Sequence, residues 1–187
     1  MEIGIWGDSI TYGKCDSEGL GWVGRLRKSL LANASVYNRG ICGDTTDDLL
    51  SRFSSEADSI DPNLVVFAIG INDSKFLPGE TENRIPMNRY KENMKELVAA
   101  ARKHTDKIYL VGPTKVYKER VSKTGTNFIN SEIRKYDNFL KELAETENFI
   151  YIPTFEILDT DNDLADGLHP NAQGYEKMSE VISKYIK

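Results

Sequence analysis

Residues 63–69 (NLVVFAI) constrain the fold of this 187-residue chain more than any other stretch. From Leu64 to Ile69 every residue is apolar, so both faces of an extended strand at this position would be apolar. Strands of this kind are typical of parallel sheets, because helices cover both faces of such sheets. The stretch therefore predicts a central strand of an α/β protein.

The rest of the chain alternates short apolar runs with segments whose apolar residues recur at the spacing of amphipathic helices. The predicted strands are residues 3–6, 35–38, 63–69, 107–111 and 149–152, and the predicted helices are 20–33, 45 to beyond 53, 90–101, 129–143 and 170–185. This alternation predicts a three-layer α/β/α sandwich with a flavodoxin-like, doubly wound sheet of five parallel strands in the order 2-1-3-4-5. Because no linker or internal repeat is visible, we expect residues 1–187 to form one domain.

Three features predict how individual helices begin and pack. Asp44 is a typical N-cap residue for the helix that follows it. Pro170 suits the first position of the last helix. The predicted buried stripe of that helix is Tyr175, Met178, Ile182 and Tyr185.

Charge and composition exclude several classes of partner. With 29 acidic and 24 basic residues the net charge is -5, which argues against a nucleic-acid partner. The longest apolar run is far below the roughly 20 residues that cross a bilayer, so we expect no membrane span. Cys15 and Cys42 are too few for a disulfide framework, although whether they pair is left open. With no visible secretory signal, the expected location is the cytoplasm.

Ser9 follows the first predicted strand and stands between Gly7 and Gly13, which permit tight turns. A serine at the rim of a sheet is well placed to act as a nucleophile, although Asp8 and Ser9 could equally cap a helix. In the predicted sheet order the loops after the first three strands meet at one crevice. Those loops carry Ser9, Gly43 and Asn72.

A serine nucleophile needs a base, usually a histidine that a carboxylate orients. The chain has two histidines, and His104 lies among basic residues at a helix end, which favours a surface role. His169 is therefore the candidate base. Asp166, three residues earlier, could accept its Nδ1 proton, although an Asp-Gly turn before a proline explains the same residues.

Acyl transfer also needs donors for the oxyanion. The backbone N–H groups of Ser9 and Gly43 and the side-chain amide of Asn72 could supply three, and glycine at position 43 would let a substrate oxygen approach closely. Asn72 could instead only brace its loop. Asp73 is expected to brace that loop, because a carboxylate would repel an oxyanion.

Four short blocks, taken together and in this order, resemble the SGNH/GDSL hydrolase family of esterases, lipases and thioesterases. The blocks are Gly7-Asp8-Ser9-Ile10, Gly43 within residues 40–44, Gly70-Ile71-Asn72-Asp73, and Asp166-Gly167-Leu168-His169-Pro170. Ile10 stands where the family often has leucine. The resemblance implies an acyl hydrolase with a catalytic triad of Ser9, Asp166 and His169 and an oxyanion hole of Ser9, Gly43 and Asn72.

We predict serine-dependent hydrolysis of small-molecule carboxylic esters, with short acyl groups and acetylated sugars as the favoured substrates. A thioesterase or lysophospholipase activity is one alternative, and a small-molecule-binding module without catalysis is another. Tyr12, Trp22, Phe76 and Tyr117 could line the substrate pocket. Loops 74–86 and 114–125 have no assigned role, and the oligomeric state is not predicted.

No cofactor and no metal are expected for the reaction. Asp159, Asp161 and Asp163 imitate the start of a calcium loop, but Leu164 replaces the required glycine, so a solvated acidic turn is the preferred interpretation. Cys42 is a weaker candidate nucleophile than Ser9, because no base of its own is evident.

Overall fold

The computed structural model describes residues 1–30, 34–118, 120–121 and 125–186, with 120 and 121 described by their backbone alone. The elements in chain order are β1 (Glu2–Gly7), α1 (Ser9–Tyr12), α2 (Gly21–Leu30), β2 (Ser35–Gly40), α3 (Thr46–Ile60), β3 (Leu64–Ala68), α4 (Met87–Ala101), β4 (Ile108–Val111), β5 (Arg120–Val121), β6 (Asn127–Phe128), α5 (Asn130–Glu147), β7 (Ile150–Ile152) and α6 (Ala172–Ile182). The end of the predicted first long helix, residues 31–33, lies outside the described residues.

The main sheet has five parallel strands in the order β2-β1-β3-β4-β7. This confirms the predicted order, since β7 is the fifth strand of that sheet. The central strand β3 has four buried residues in succession, as its apolar sequence predicts. The antiparallel pair β5 and β6 was not predicted, because each strand is only two residues long.

Helices cover both faces of the main sheet and confirm the three-layer architecture. On β1, Ile3 and Ile5 pack into one core with α2 and α6, where Trp22 is fully buried. Trp6 points to the opposite core, where α3, α4 and α5 contribute aromatic side chains such as Phe53. Adjacent residues of one strand therefore serve two separate cores.

The longest helix among the described residues is α5, with 18 residues. It buries a stripe that includes Ile133, Tyr136 and Leu140, as its sequence spacing predicts. Charged residues such as Lys135 occupy its exposed side. Across the described residues, no helix is both long enough and apolar enough to span a bilayer.

Both predicted helix starts are wrong by one or two residues. Thr45, not Asp44, is the N-cap of α3, because Thr45 and Asp48 form a reciprocal capping box. Asn171 is the N-cap of α6 and bonds to the Gly174 N–H, so Pro170 stands one residue before the cap. An asparagine side chain can accept that bond, whereas proline has no side-chain acceptor.

The predicted buried stripe of the last helix is wrong at Tyr185. The helix ends at Ile182, and Tyr185 is exposed while Ile186 is buried. The chain leaves helical geometry after Ser183, so the spacing of three to four residues no longer decides which side chain faces the core.

Candidate active site

Ser9 is delivered to the rim of the sheet by β1 and is also the first residue of α1. The Asp8 side chain accepts a hydrogen bond from the Ile10 N–H at 2.9 Å and caps this helix. A Cβ on Gly7 would lie 2.2 Å from the Thr11 hydroxyl oxygen, so only glycine fits between β1 and α1. The helix-cap interpretation is therefore confirmed at Asp8, whereas Ser9 is the first helical residue and its role as a nucleophile stays a prediction.

His169 lies next to Ser9 although 160 residues separate them in the chain. The Ser9 Oγ is 2.9 Å from His169 Nε2, and both residues are buried. The His169 carbonyl accepts a hydrogen bond from the Ala165 N–H at 2.8 Å, which closes the loop that carries the imidazole. The ring is thus positioned to exchange a proton with the serine hydroxyl.

Asp166 contacts His169 through both carboxylate oxygens. Oδ2 is 2.9 Å from the ring Nδ1, and Oδ1 accepts hydrogen bonds from the His169 N–H at 2.8 Å and the Leu168 N–H at 3.0 Å. Burial raises the pKa of Asp166, but these bonds outweigh it and lower the pKa to about 2. The carboxylate is therefore ionised at neutral pH.

Asn72 is held from two sides. Its Nδ2 donates to the Asp44 carbonyl at 3.0 Å, and its Oδ1 accepts from Lys75 Nζ at 3.0 Å. The two contacts fix which end of the amide is the donor. Because an amide nitrogen carries two hydrogens, one hydrogen is left for a further acceptor.

Gly43 adopts a left-handed backbone with φ of 90°. A Cβ at this position would meet nothing within 4 Å. The backbone conformation is a further reason for the glycine, since L-residues with side chains rarely adopt this φ. The close approach of a substrate oxygen stays a prediction.

Asp73 braces its loop, as expected. Its Oδ1 accepts from the Thr46 N–H at 3.0 Å and from the Thr46 hydroxyl, at the start of α3. Burial raises the pKa of Asp73 to about 6. These bonds tie the loop after β3, which carries Asn72, to the helix after β2.

One groove brings the candidate residues together. Its lining consists of Ser9, Lys14, Cys42, Gly43, Asn72, Lys75, Thr126, Phe128, Leu168 and His169. One wall comes from Lys75 of loop 74–86 and from Thr126 and Phe128 in and beside β6, and the two segments pair through reciprocal backbone bonds of 2.9 and 3.0 Å between Phe76 and Asn127. Loop 74–86, to which no role was assigned, thus helps to build the groove, whereas no described residue of loop 114–125 belongs to its lining.

The four aromatic residues expected in the pocket lie elsewhere. Trp22 lines a separate internal cavity with Asp8, and Tyr117 lines a surface depression beside Asp166. Tyr12 is 61% exposed, and neither it nor Phe76 is part of the groove lining described above. Sequence analysis did not identify three residues of the groove lining, Lys75, Thr126 and Phe128, because no short motif marks them.

The second histidine and the two cysteines were also considered in the sequence analysis, and the structure shows the surroundings of each. The His104 ring lies 3.4 Å from the carboxylates of Asp58 and Asp61, at the end of α4. Neither Cys15 nor Cys42 is in a disulfide.

The prediction of a solvated acidic turn is wrong at Asp163. This residue is fully buried, and its carboxylate accepts from Lys177 Nζ at 2.7 and 2.9 Å. It also accepts from the Asp159 N–H at 2.8 Å. The carboxylate therefore links this turn to α6.

Comparison with known proteins shows what the chain is similar to. It is 26% identical to an acetylxylan esterase from Geobacillus stearothermophilus, over 96% of this chain and 86% of that protein. It is also 26% identical to the human isoamyl acetate-hydrolyzing esterase 1 homolog, over 92% of this chain and 75% of that protein. A multidomain esterase from Ruminococcus flavefaciens is 34% identical over 67% of this chain, which spans only 16% of that protein.

Solved structures show the same fold. The crystal structure of the Geobacillus stearothermophilus acetylxylan esterase matches with a TM-score of 0.80 at 22% identity, covering 99% of this chain and 93% of that chain. The profile of one family matches residues 5–177 of this chain. The chain belongs to the GDSL-like Lipase/Acylhydrolase family.

Proposed function

We propose that this protein is a carboxylic-ester hydrolase whose catalytic triad is Ser9, His169 and Asp166. The observation that carries the proposal is the 2.9 Å approach of Ser9 Oγ to His169 Nε2, on a ring whose Nδ1 faces the Asp166 carboxylate. This arrangement supplies a nucleophile, a base and a group that orients the base. Membership of an acylhydrolase family supports the same chemistry.

The reaction proceeds through an acyl-enzyme. Ser9 Oγ attacks the ester carbonyl carbon while its proton passes to His169 Nε2. When the tetrahedral intermediate collapses, the ester C–O bond breaks and the alcohol leaves with the proton from Nε2. In the second half of the reaction a water molecule gives a proton to His169 Nε2 and attacks the acyl carbonyl carbon. The bond to Ser9 Oγ then breaks, Ser9 regains its proton from Nε2, and the acid leaves.

The oxyanion of each tetrahedral intermediate accepts hydrogen bonds from the Ser9 N–H, the Gly43 N–H and Asn72 Nδ2. The position of Gly43 and Asn72 on the groove that holds Ser9 supports this assignment. The Asp44 carbonyl and Lys75 hold the Asn72 amide in one orientation before substrate arrives. Donors that are already oriented stabilise the developing charge without reorganisation.

We propose short acyl esters, acetyl esters of sugars among them, as substrates. The names of two relatives specify acetate esters, one of xylan and one of isoamyl alcohol. The groove offers Phe128 and Leu168 as its larger apolar side chains, which gives little apolar surface for a long acyl chain. That residues 1–187 form one domain of a cytoplasmic protein stays a prediction.

The test is a panel of 4-nitrophenyl esters of increasing acyl length, assayed beside acetylated xylose and acetyl-CoA. We expect the acetyl ester to have the highest kcat/KM among the 4-nitrophenyl esters. Ser9→Ala should lower kcat by at least about 10³-fold, because the nucleophile is lost. Ser17→Ala, at an exposed loop serine, is the matched control.

Three outcomes would contradict the proposal. Ester cleavage by Ser9→Ala at the parental rate would exclude Ser9 as the nucleophile. A purified protein that cleaves no member of the panel but binds one of its alcohols or acids would favour the binding module. A higher kcat/KM for acetyl-CoA than for any oxygen ester would favour the thioesterase alternative.

A further inference from the structure

Cys15 places a thiol beside the proposed catalytic histidine. One ligating atom from each of Cys15, Asp166 and His169 lies within 4.8 Å of the other two. Cys15 is exposed, Asp166 is half-buried and His169 is buried, so solvent reaches the cluster from the cysteine side. Thiolate, imidazole and carboxylate are the three ligand types that proteins offer to Zn²⁺.

The backbone on both sides of Cys15 is anchored. The Lys14 carbonyl accepts a hydrogen bond from the Tyr175 hydroxyl of α6 at 2.8 Å. On the other side, the Asp16 carboxylate accepts from the Gly21 N–H at 2.7 Å and pairs with Arg25. Cys15 is thus held between two fixed residues, and its thiol is presented without any folding step.

The spacing of the three groups suits a tetrahedral ion after small side-chain shifts. Zinc bonds to sulfur, nitrogen and oxygen at about 2.0 to 2.3 Å, so ligand atoms around one ion are about 3.3 to 3.6 Å apart. The Asp166–His169 pair, now 2.9 Å apart, has to open slightly. The Cys15 side chain has to approach by at most about 1.5 Å, which an exposed side chain achieves by rotation. Water completes the coordination.

We propose that Zn²⁺ binds reversibly to Cys15 Sγ, His169 Nδ1 and an Asp166 carboxylate oxygen, and that this binding inhibits the enzyme. The thiol releases its proton to solvent. The imidazole proton moves from Nδ1, which now bonds to the metal, to Nε2. An Nε2 that already carries a proton cannot accept the Ser9 proton, so attack on the ester stops. The inhibition rests on the proposed triad, whereas the metal binding does not.

The first experiment measures hydrolysis of 4-nitrophenyl acetate against Zn²⁺ concentration, with each variant scaled to its own metal-free rate. We expect Zn²⁺ to inhibit the parent protein and EDTA to restore its activity. Cys15→Ala should raise the Zn²⁺ concentration for half-inhibition by about tenfold or more, since one ligand is lost. Cys42→Ala, which removes the other cysteine of the chain, should keep the parental sensitivity.

The second experiment detects the metal directly and needs no catalysis. Co²⁺ replaces Zn²⁺ in such sites, and a cysteine ligand gives a sulfur-to-cobalt charge-transfer band in the near ultraviolet. We expect this band in the parent and in Cys42→Ala, and its loss in Cys15→Ala. Absence of the band in the parent, or equal Zn²⁺ sensitivity of Cys15→Ala and the parent, would overturn the proposed site. A band without inhibition would uphold the site and contradict the proposed role of His169.

Discussion

Asp166 holds His169 with both of its carboxylate oxygens, and each oxygen has a separate task. Oδ1 accepts the backbone N–H of His169 at 2.8 Å and thereby forms the turn. Oδ2 lies 2.9 Å from the ring Nδ1 and sets the orientation of the imidazole. The turn and the proposed triad are therefore not competing explanations of this motif, because one carboxylate makes the contacts that both require.

Asp166→Asn separates the two tasks. The asparagine Oδ1 can still accept the backbone bonds, but its Nδ2 would place a donor against the ring Nδ1 and favour the wrong tautomer. We expect kcat to fall by roughly 10³- to 10⁴-fold with a Tm near that of the parent. Asp166→Ala, which also loses the turn bonds, should lower both kcat and Tm. A kcat for Asp166→Asn within tenfold of the parent would remove Asp166 from the triad.

Asn72→Ala tests the oxyanion hole. Loss of one oriented donor should lower kcat by roughly 100- to 1000-fold, because that donor acts on charge that develops in the transition state. The variant also loses the bond to the Asp44 carbonyl, which should cost about 1 kcal/mol of stability, measured as a small drop in Tm. Asn138→Ala, on the exposed side of α5, is the control. An unchanged kcat would mean that Asn72 only braces its loop.

Lys75→Met tests whether Asn72 must be held in one orientation. Lys75 Nζ donates to Asn72 Oδ1 at 3.0 Å, and burial lowers the pKa of this lysine. Methionine keeps much of the side-chain length but cannot donate, so the amide is free to rotate. We expect kcat to fall by about tenfold while KM changes little, since the effect is on the transition state.

Two further variants define the role of Lys75. Lys75→Arg keeps a donor and should recover part of the lost kcat. Lys95→Met, on the exposed side of α4, should behave as the parent. If Lys75→Met raises KM and leaves kcat unchanged, Lys75 binds substrate and does not position Asn72.

The parallel sheet could be predicted because strand and helix patterns are local, and its order is that of the doubly wound fold that this alternation favours. An unbroken apolar run such as residues 64–69 predicts a strand covered on both faces, and helices between the strands require parallel crossovers. The same order brings the loops of Ser9, Gly43 and Asn72 to one edge, which the groove lining shows. The strands and helices are recognised from nearby residues, and the rule for doubly wound sheets supplies the rest.

The far wall of the groove could not be predicted in this way. Lys75 lies in the loop after β3 and Phe128 lies in β6, 53 positions later, and they meet because Phe76 and Asn127 pair through their backbones. Backbone pairing between two irregular segments leaves no side-chain pattern in the sequence. The predicted start of α3 is wrong for a related reason. Asp44 and Thr45 both have capping side chains and each is followed three residues later by an aspartate, Asp47 or Asp48, and only the Thr45–Asp48 pair forms the capping box.

Asp8 links the site to the pH dependence of stability. The residue is 2% exposed, and burial raises its pKa to about 7, with Asp73 and Asp44 nearby adding to the rise. In the unfolded chain an aspartate titrates at about 3.9. Between these two values the folded protein keeps a proton that the unfolded chain has lost. The free energy of unfolding therefore falls as pH rises from about 4 to about 7.

Asp8→Asn should remove this loss of stability. The asparagine Oδ1 can still accept the Ile10 N–H, and the side chain does not ionise. The difference between the Tm of the variant and the Tm of the parent should therefore increase from pH 4 to pH 8. The increase should be at least about 2 to 4 °C, because 1 kcal/mol shifts the Tm of a protein of this size by that amount. Calorimetry at pH 4, 6 and 8 measures it, with Asp106→Asn at an exposed site as the control. A Tm difference that is constant across pH would show that Asp8 is already ionised at pH 4 in the folded protein.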